Sequence, residues 1–117
     1  MALGHTNTIK AHKGVALGIG NQVGNTKTGD NSKGAFAAGN ANTVDGVTAT
    51  AIGDTNTANG TNSIAIGTSN NVTGSNSVAL SKGNTISGGQ SVALGESNII
   101  TGASSAAAGH SNTVAGG

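Results

Sequence analysis

The chain has 117 residues, of which 21 are glycine, and it contains no Pro, Cys, Trp or Tyr and one aromatic residue, Phe36. So few large side chains argue against a conventional globular core for a chain of this size. The lack of Cys excludes a disulfide framework and thiolate metal sites. A formal net charge of +1 without Arg argues against nucleic acid as a partner, because phosphate binding needs a basic face.

The sequence is a repeat of 14 residues built on the tetrapeptide apolar–Ala–apolar–Gly. Copies begin at residues 1, 15, 36, 50, 64, 78, 92 and 106, so seven extra residues lie within the second copy. We number the positions of each copy from 1. Position 2 is Ala and position 7 is Asn in every copy, whereas position 4 is Gly except at Ser81. A disordered tract has no physical reason to keep such columns in phase.

Each copy predicts one coil of a β-solenoid with two short strands and two turns. The first strand covers positions 1–3, as in residues 78–80, and the second covers positions 7–9, as in residues 84–86. Gly at positions 4 and 11 is predicted at the corners, where a residue without Cβ can take positive φ. A helix is unfavourable, because Gly and Asn recur every few residues. Eight coils about 4.8 Å apart would form a rod of roughly 38 Å.

We therefore predict an all-β fold, a β-solenoid of eight coils of about 14 residues each. Residues 1–117 are expected to form a single repeat domain, with an inserted loop within residues 24–35. The chain begins in phase with the repeat, stops two residues short of completing the eighth copy and shows no polar cap. This is expected of a segment of a longer protein, or of a subunit that stacks end to end.

The asparagines at position 7 have two structural interpretations. Identical Asn side chains on parallel, in-register strands can hydrogen-bond to one another along the stack. Alternatively, Asn occupies a corner because it tolerates the left-handed region of φ and ψ. Neither interpretation makes the column a binding site. The column consists of Asn7, Asn21, Asn42, Asn56, Asn70, Asn84, Asn98 and Asn112.

The first strand has apolar residues on both of its faces. Positions 1 and 3 point to one face and carry large residues such as Val78 and Leu80, while Ala at position 2 points to the other. A strand without a polar face is normally buried on both sides. The sequence leaves open which face lines the interior of the coil. With either orientation, an apolar surface remains outside, which predicts lateral self-association.

Three segments carry a family resemblance: residues 62–67 (NSIAIG), 76–80 (NSVAL) and 90–95 (QSVALG). Together with the Asn-x-Val/Ile-x-Gly that follows, they resemble the head repeats of trimeric autotransporter adhesins, the YadA-like family. The resemblance covers essentially the whole chain and is best over residues 36–117. It implies a left-handed parallel β-roll with three chains around one axis, a homotrimer displayed at the bacterial cell surface. Such heads bind extracellular matrix proteins or cells and mediate autoaggregation.

The family's coiled-coil stalk, membrane anchor and signal sequence are not found in these residues. Anchoring at the outer membrane is therefore expected only as part of a longer chain. No apolar run approaches about 18 residues, so direct membrane insertion by this segment is not expected. Ser81 in place of the turn Gly and Thr50 in an apolar column depart from the family's pattern.

The insertion is the candidate ligand-contact loop. It contains Lys27, Asp30 and Lys33, a large share of the few charges in the chain. Insertions in repeat proteins leave one face as loops, and binding often occurs there. The alternative interpretation is a tolerated surface loop without a ligand.

The remaining residues indicate neither catalysis nor a metal site. His5, His12 and His110 are scattered and have no acidic neighbours at ligand spacing. No column carries an acid in every turn, as a calcium-binding solenoid requires. The sequence shows no plausible Ser/His/Asp set and no close carboxylate pair. We expect no catalytic residue, no cofactor and no metal, and hence no enzyme.

Three functions remain in competition. The first is the head segment of a trimeric surface adhesin, of which a phage receptor-binding fibre is a variant. The second is a structural solenoid that assembles into a filament. The third is an ice-binding solenoid, which needs a regular array of Thr. Position 8 carries Thr8, Thr43, Thr57, Thr85 and Thr113, but Gln22, Asn71 and Ile99 interrupt the array.

Overall fold

The computed structural model describes residues 1–24 and 33–116, which form two sheets of parallel strands. Long strands at the start of each turn form the first sheet, and two-residue strands form the second. The long strands are β1 (Ala2–His5), β3 (Val15–Ile19), β5 (Phe36–Asn40), β7 (Thr50–Asp54), β9 (Ile64–Thr68), β11 (Val78–Lys82), β13 (Val92–Glu96) and β15 (Ala106–His110). The short strands are β2 (Thr8–Ile9), β4 (Gln22–Val23), β6 (Thr43–Val44), β8 (Thr57–Ala58), β10 (Asn71–Val72), β12 (Thr85–Ile86), β14 (Ile99–Ile100) and β16 (Thr113–Val114).

Each strand pairs with the equivalent strand of the next turn, so the sequence columns become columns in space. Ala79 is paired with Ala65 on one side and with Ala93 on the other. Across the longer second turn, Ala16 is still paired with Ala37. The longest extent of the molecule, 37 Å, agrees with eight rungs about 4.8 Å apart. The all-β parallel solenoid of about eight turns is therefore confirmed.

The register resumes directly after the insertion. The backbone N–H of Gly34 donates to the carbonyl of His12 (3.1 Å), and that of Thr48 donates to the carbonyl of Lys33 (2.8 Å). Asn62 and Val47 make the equivalent bond in a regular turn. Residues 33–35 therefore occupy positions 12–14 of the second turn.

The interior is narrow and is filled by small side chains. Ala at position 2 points inward and is fully buried from Ala16 to Ala93, which settles the orientation that the sequence left open. The largest buried side chains come from the short strands, at position 9. They are Val23, Val44, Val72, Ile86 and Ile100. Positions 1 and 3 therefore point outward.

The corners differ from the prediction. The left-handed residues are those at positions 6 and 13, and most of them are not Gly; Thr55 has φ 56° and Asn62 has φ 55°. Gly at position 4 does take positive φ, but it lies inside the long strand, which covers positions 1–5 instead of 1–3. The prediction that Gly at position 11 takes positive φ is wrong. A Cβ on Gly60 would lie 2.2 Å from the carbonyl oxygen of Gly74, so Gly is needed there for close stacking.

Position 14 changes from Ala to Ser along the rod. Ala35 and Ala49 are buried there, and so are Ser63, Ser77 and Ser91. The hydroxyl of Ser77 donates to the carbonyl of Gly88 (3.0 Å) and accepts the backbone N–H of Ser91 (3.1 Å). The hydroxyl of Ser63 is fully buried without any hydrogen-bond partner.

We predict that Ser81→Gly stabilises the protein by about 1 kcal/mol, because Ser81 is held at φ 98° where every other turn has Gly. Urea unfolding measures the change. Ser87→Gly is the matched control, since Ser87 is exposed and its φ is not positive. Equal effects of the two substitutions would contradict the argument from backbone strain.

We further predict that Ser63→Ala raises the free energy of unfolding by about 1 kcal/mol, since it removes a buried hydroxyl without a partner. Ser77→Ala should lower it by a similar amount, because the Ser91 N–H then loses its acceptor. Thermal unfolding measures the stability of both variants. Both substitutions remove one hydroxyl group, so the change in side-chain volume is the same. Destabilisation by both substitutions would contradict the assignment of Ser63 as unsatisfied.

Candidate interaction surface

The Asn residues at position 7 form a continuous hydrogen-bonded ladder inside the rod. The Oδ1 atom of Asn84 accepts the backbone N–H and the Nδ2–H of Asn98, both at 3.0 Å. Its own Nδ2 donates to Oδ1 of Asn70 (3.1 Å) and to the carbonyls of Leu80 (3.1 Å) and Gly95 (2.7 Å). The same bonds recur from turn to turn. The ladder therefore ties the end of each long strand to the turns above and below it.

The structure places the ladder in the interior. The six asparagines from Asn21 to Asn98 are at most 1% exposed, while Asn7 and Asn112 in the first and last turns are less buried. None of the eight has positive φ, because the left-handed residue is the one before it, as at Thr55 and Ser69. The Asn side chains thus stabilise the fold and are inaccessible to a ligand over most of the rod.

The outward positions 1 and 3 of the long strands form a half-exposed apolar surface, which we call the apolar stripe. Leu94 is 42% exposed and Ile52 is 36% exposed. Thr50 is the single polar member of the stripe. Its members are Met1, Leu3, Val15, Leu17, Phe36, Ala38, Thr50, Ile52, Ile64, Ile66, Val78, Leu80, Val92, Leu94, Ala106 and Ala108. A contiguous apolar surface along a whole rod is typical of an interaction site.

A polar row borders the apolar stripe at position 5 of the long strands. Lys82 and Glu96 are 3.9 Å apart, and Glu96 is 4.0 Å from Nε2 of His110. Nδ2 of Asn40 donates to Oδ1 of Asp54 (2.6 Å). All five side chains are exposed, so these pairs contribute little to stability. The row was not anticipated from the sequence, although its charges recur at the repeat spacing.

Only one residue of the predicted ligand-contact loop can be placed. Lys33 is exposed at position 12 of the second turn. Lys27 and Asp30 lie outside the described residues. Whether the three side chains form one site therefore stays a prediction.

The three histidines do not meet. His5 and His110 occupy position 5 of the first and last turns, and His12 lies on a corner. In the part of the chain that the structure describes, no three His, Asp or Glu side chains are grouped as a metal site would require. Over the same residues, the surface has no cleft. None of their elements is a helix long and apolar enough to cross a membrane.

These features define a parallel β-solenoid with a polar ladder inside and an apolar stripe outside. Residues 45–70 and 58–80 each match the model of the YadA head domain repeat, in two overlapping copies. The chain thus contains a YadA-like head-repeat domain. The turns outside the matched residues continue the same strand register. A comparison with curated proteins gave no match.

We predict that Asn84→Ala lowers the free energy of unfolding by about 3 kcal/mol or more. The substitution leaves the buried N–H of Asn98 and several carbonyls without partners. Asn71→Ala is the matched control, because Asn71 is exposed on the adjacent short strand. Urea unfolding of both variants measures the difference. A similar small effect for both would show that the ladder contributes little.

Proposed function

We propose that this chain is the head segment of a bacterial surface adhesin that works as a homotrimer. Three chains pack around one axis through their apolar stripes, as a left-handed β-roll. The trimer is held at the outer face of the outer membrane as part of a longer chain. There it binds extracellular matrix proteins or cell-surface molecules and mediates autoaggregation. The observation that carries the proposal is the apolar stripe on a rod built of YadA-type repeats.

The energetics of the apolar stripe favour a lateral partner. Burying the exposed half of a Leu, Ile or Val side chain contributes about 1 kcal/mol. Summed over the ten or so large residues of the stripe, this is comparable to the cost of bringing chains together. The narrow interior has no room for these side chains, so only another molecule can cover them. The stripe alone specifies only that a partner is needed. The number of three chains rests on the resemblance to YadA-like heads, whose repeat model residues 45–80 match.

The way such a rod binds follows from its surface. YadA-like heads are adhesin domains, and the described residues offer no cleft that would enclose a small molecule. A rigid rod with three identical outer faces instead presents each weak contact three times. Linked contacts of this kind raise the overall affinity without a single strong site. Residues 1–117 act as one repeat domain, and the insertion with Lys27, Asp30 and Lys33 is the first candidate for such contacts.

Sedimentation equilibrium tests the trimer. We expect a stable mass of three chains of 11.0 kDa each, about 33 kDa. The double variant Leu80→Asp/Leu94→Asp should dissociate it, with an apparent dissociation constant raised at least about 100-fold, because the interface would bury unpaired charges. Thr85→Asp/Ile99→Asp is the matched control, on adjacent turns of the outer face of the short-strand sheet.

The same variants test adhesion. The control should bind immobilised matrix proteins as the unaltered protein does, whereas the stripe variant should bind at least about tenfold more weakly, because multivalency is lost. A folded monomer of the unaltered protein would overturn the trimer. Long fibres in place of trimers would favour the filament. Equal binding by monomer and trimer would overturn multivalent adhesion.

A further inference from the structure

The few charges of the chain are segregated along the rod. Residues 10–33 contain four of the five lysines and one of the four acids, a formal charge of +3. Residues 34–117 contain one lysine and three acids and carry −2, while residues 1–9 contain no lysine and no acid. The packing of the solenoid does not require this asymmetry, since the charged side chains that the structure describes all point outward.

The fold gathers three of the four described lysines at one corner. Lys10, His12 and Lys13 follow the short strand of the first turn, and all three are exposed. Because the Gly34 N–H donates to the His12 carbonyl, Lys33 occupies position 12 of the second turn, directly next to His12 at position 12 of the first turn. We call these four residues the basic corner. Among the described residues, neither Lys10 nor Lys13 forms an ion pair.

The acids of the described residues lie away from the two lysines of the first turn. Asp45 occupies the position of Lys10 two turns further on, about 10 Å along the rod. Asp54 and Glu96 lie on the long-strand sheet, in the polar row beside the apolar stripe. Lys10 and Lys13 therefore keep a positive field toward solvent, which attracts a polyanion.

The same corner continues along the rod as a row of neutral polar side chains at position 13. Thr48 donates to Oδ1 of Asn62, and Nδ2 of Asn62 donates to Oδ1 of Asn76 (3.1 Å). Further along, the Ser104 hydroxyl donates to Oε1 of Gln90 (3.2 Å). All five side chains are exposed and held in the left-handed conformation, φ 52–57°. They offer amide and hydroxyl groups to a polar polymer that lies along the corner.

We propose that the basic corner and this polar row bind a linear acidic polysaccharide, whose sulfate or carboxylate groups pair with the lysines and whose hydroxyls meet the polar row. A single-stranded nucleic acid fits less well, because such polymers bind largely by stacking on Phe, Tyr and Trp, and the single residue of these types in the chain, Phe36, lies in the apolar stripe. A membrane surface fits less well, since the four residues of the basic corner include no large apolar side chain that could insert. The inference rests on the proposed function, because a displayed rod is what meets such polymers.

Binding of heparin at 50 mM and 200 mM salt tests the proposal, with neutral dextran as the control polymer. The decisive variant is Lys13→Thr/Thr85→Lys. It moves one lysine from the basic corner to an exposed site on the short-strand sheet, outside the polar row. Thr is accepted at position 13, as Thr48 shows with φ 52°, and composition and net charge stay the same. Heparin affinity at 50 mM salt should fall about threefold for this variant, and the slope of affinity against salt should become shallower. Lys82→Gln, which removes the remote lysine, should leave affinity unchanged.

Three results would overturn the inference: no binding of heparin by the unaltered protein, equal binding by the exchange variant, or equal affinity for single-stranded DNA and heparin. Binding of an unsulfated polyuronate as tightly as heparin would support carboxylate recognition, and weaker binding would support sulfate recognition. The stripe variant Leu80→Asp/Leu94→Asp separates the two proposals. If the protein is trimeric and adhesive but does not bind heparin, the basic corner alone fails. If it is monomeric but binds heparin, the trimer alone fails.

Discussion

The buried asparagine ladder is the interaction on which the rest of this structure depends. The narrow interior holds one Val or Ile side chain in most turns and only Ala from position 2 of the long strand, so hydrophobic burial per turn is small. The side chain of Asn84 alone takes part in five hydrogen bonds, which satisfy its own amide, carbonyls of two long strands and the backbone N–H of Asn98. Buried polar networks are favourable when every member is satisfied, and costly otherwise. The ladder thus supplies hydrogen bonds at the corner between each long strand and the short strand that follows, where the backbone hydrogen bonds of the long-strand sheet end.

The same narrow interior explains the exposed apolar stripe. In a wider solenoid, residues such as Leu80 and Ile64 could line the core. Here the interior already holds the Val and Ile side chains of position 9, and the long strands contribute only Ala to it, so their large residues point outward. Gly at positions 4 and 11 is part of the same constraint, because a Cβ on Gly67 would overlap the carbonyl oxygen of Ser81 in the next turn. Close stacking of turns and a surface that needs a partner are therefore two consequences of one geometry.

Much of the fold could be predicted from the sequence, because strict columns of Ala, Gly and Asn indicate stacked turns. Which face of the first strand points inward could not be predicted, since both faces are apolar and only the width of the interior decides between them. The left-handed corners were also missed. Apart from a few Gly and two Asn, they are occupied by Thr, Ser, Lys, Ala and Gln, residues such as Thr55 and Lys13 that carry no signal of positive φ. Their backbone is held by bonds to adjacent turns, as between Thr55 N–H and the Asn40 carbonyl, which a single repeat does not reveal.

The candidate surfaces were harder to predict than the fold for a related reason. The inward positions 2, 7, 9 and 14 and the glycine positions fix the shape of every turn, so they repeat. Positions 5, 8, 10, 12 and 13 point outward and are free to differ between turns without cost to the core. Specific binding therefore depends on the residues that break the repeat pattern, because a property shared by all turns cannot distinguish one part of the rod from another. On a rod with so few charges, lysines on adjacent turns, such as Lys13 and Lys33, break the pattern most strongly.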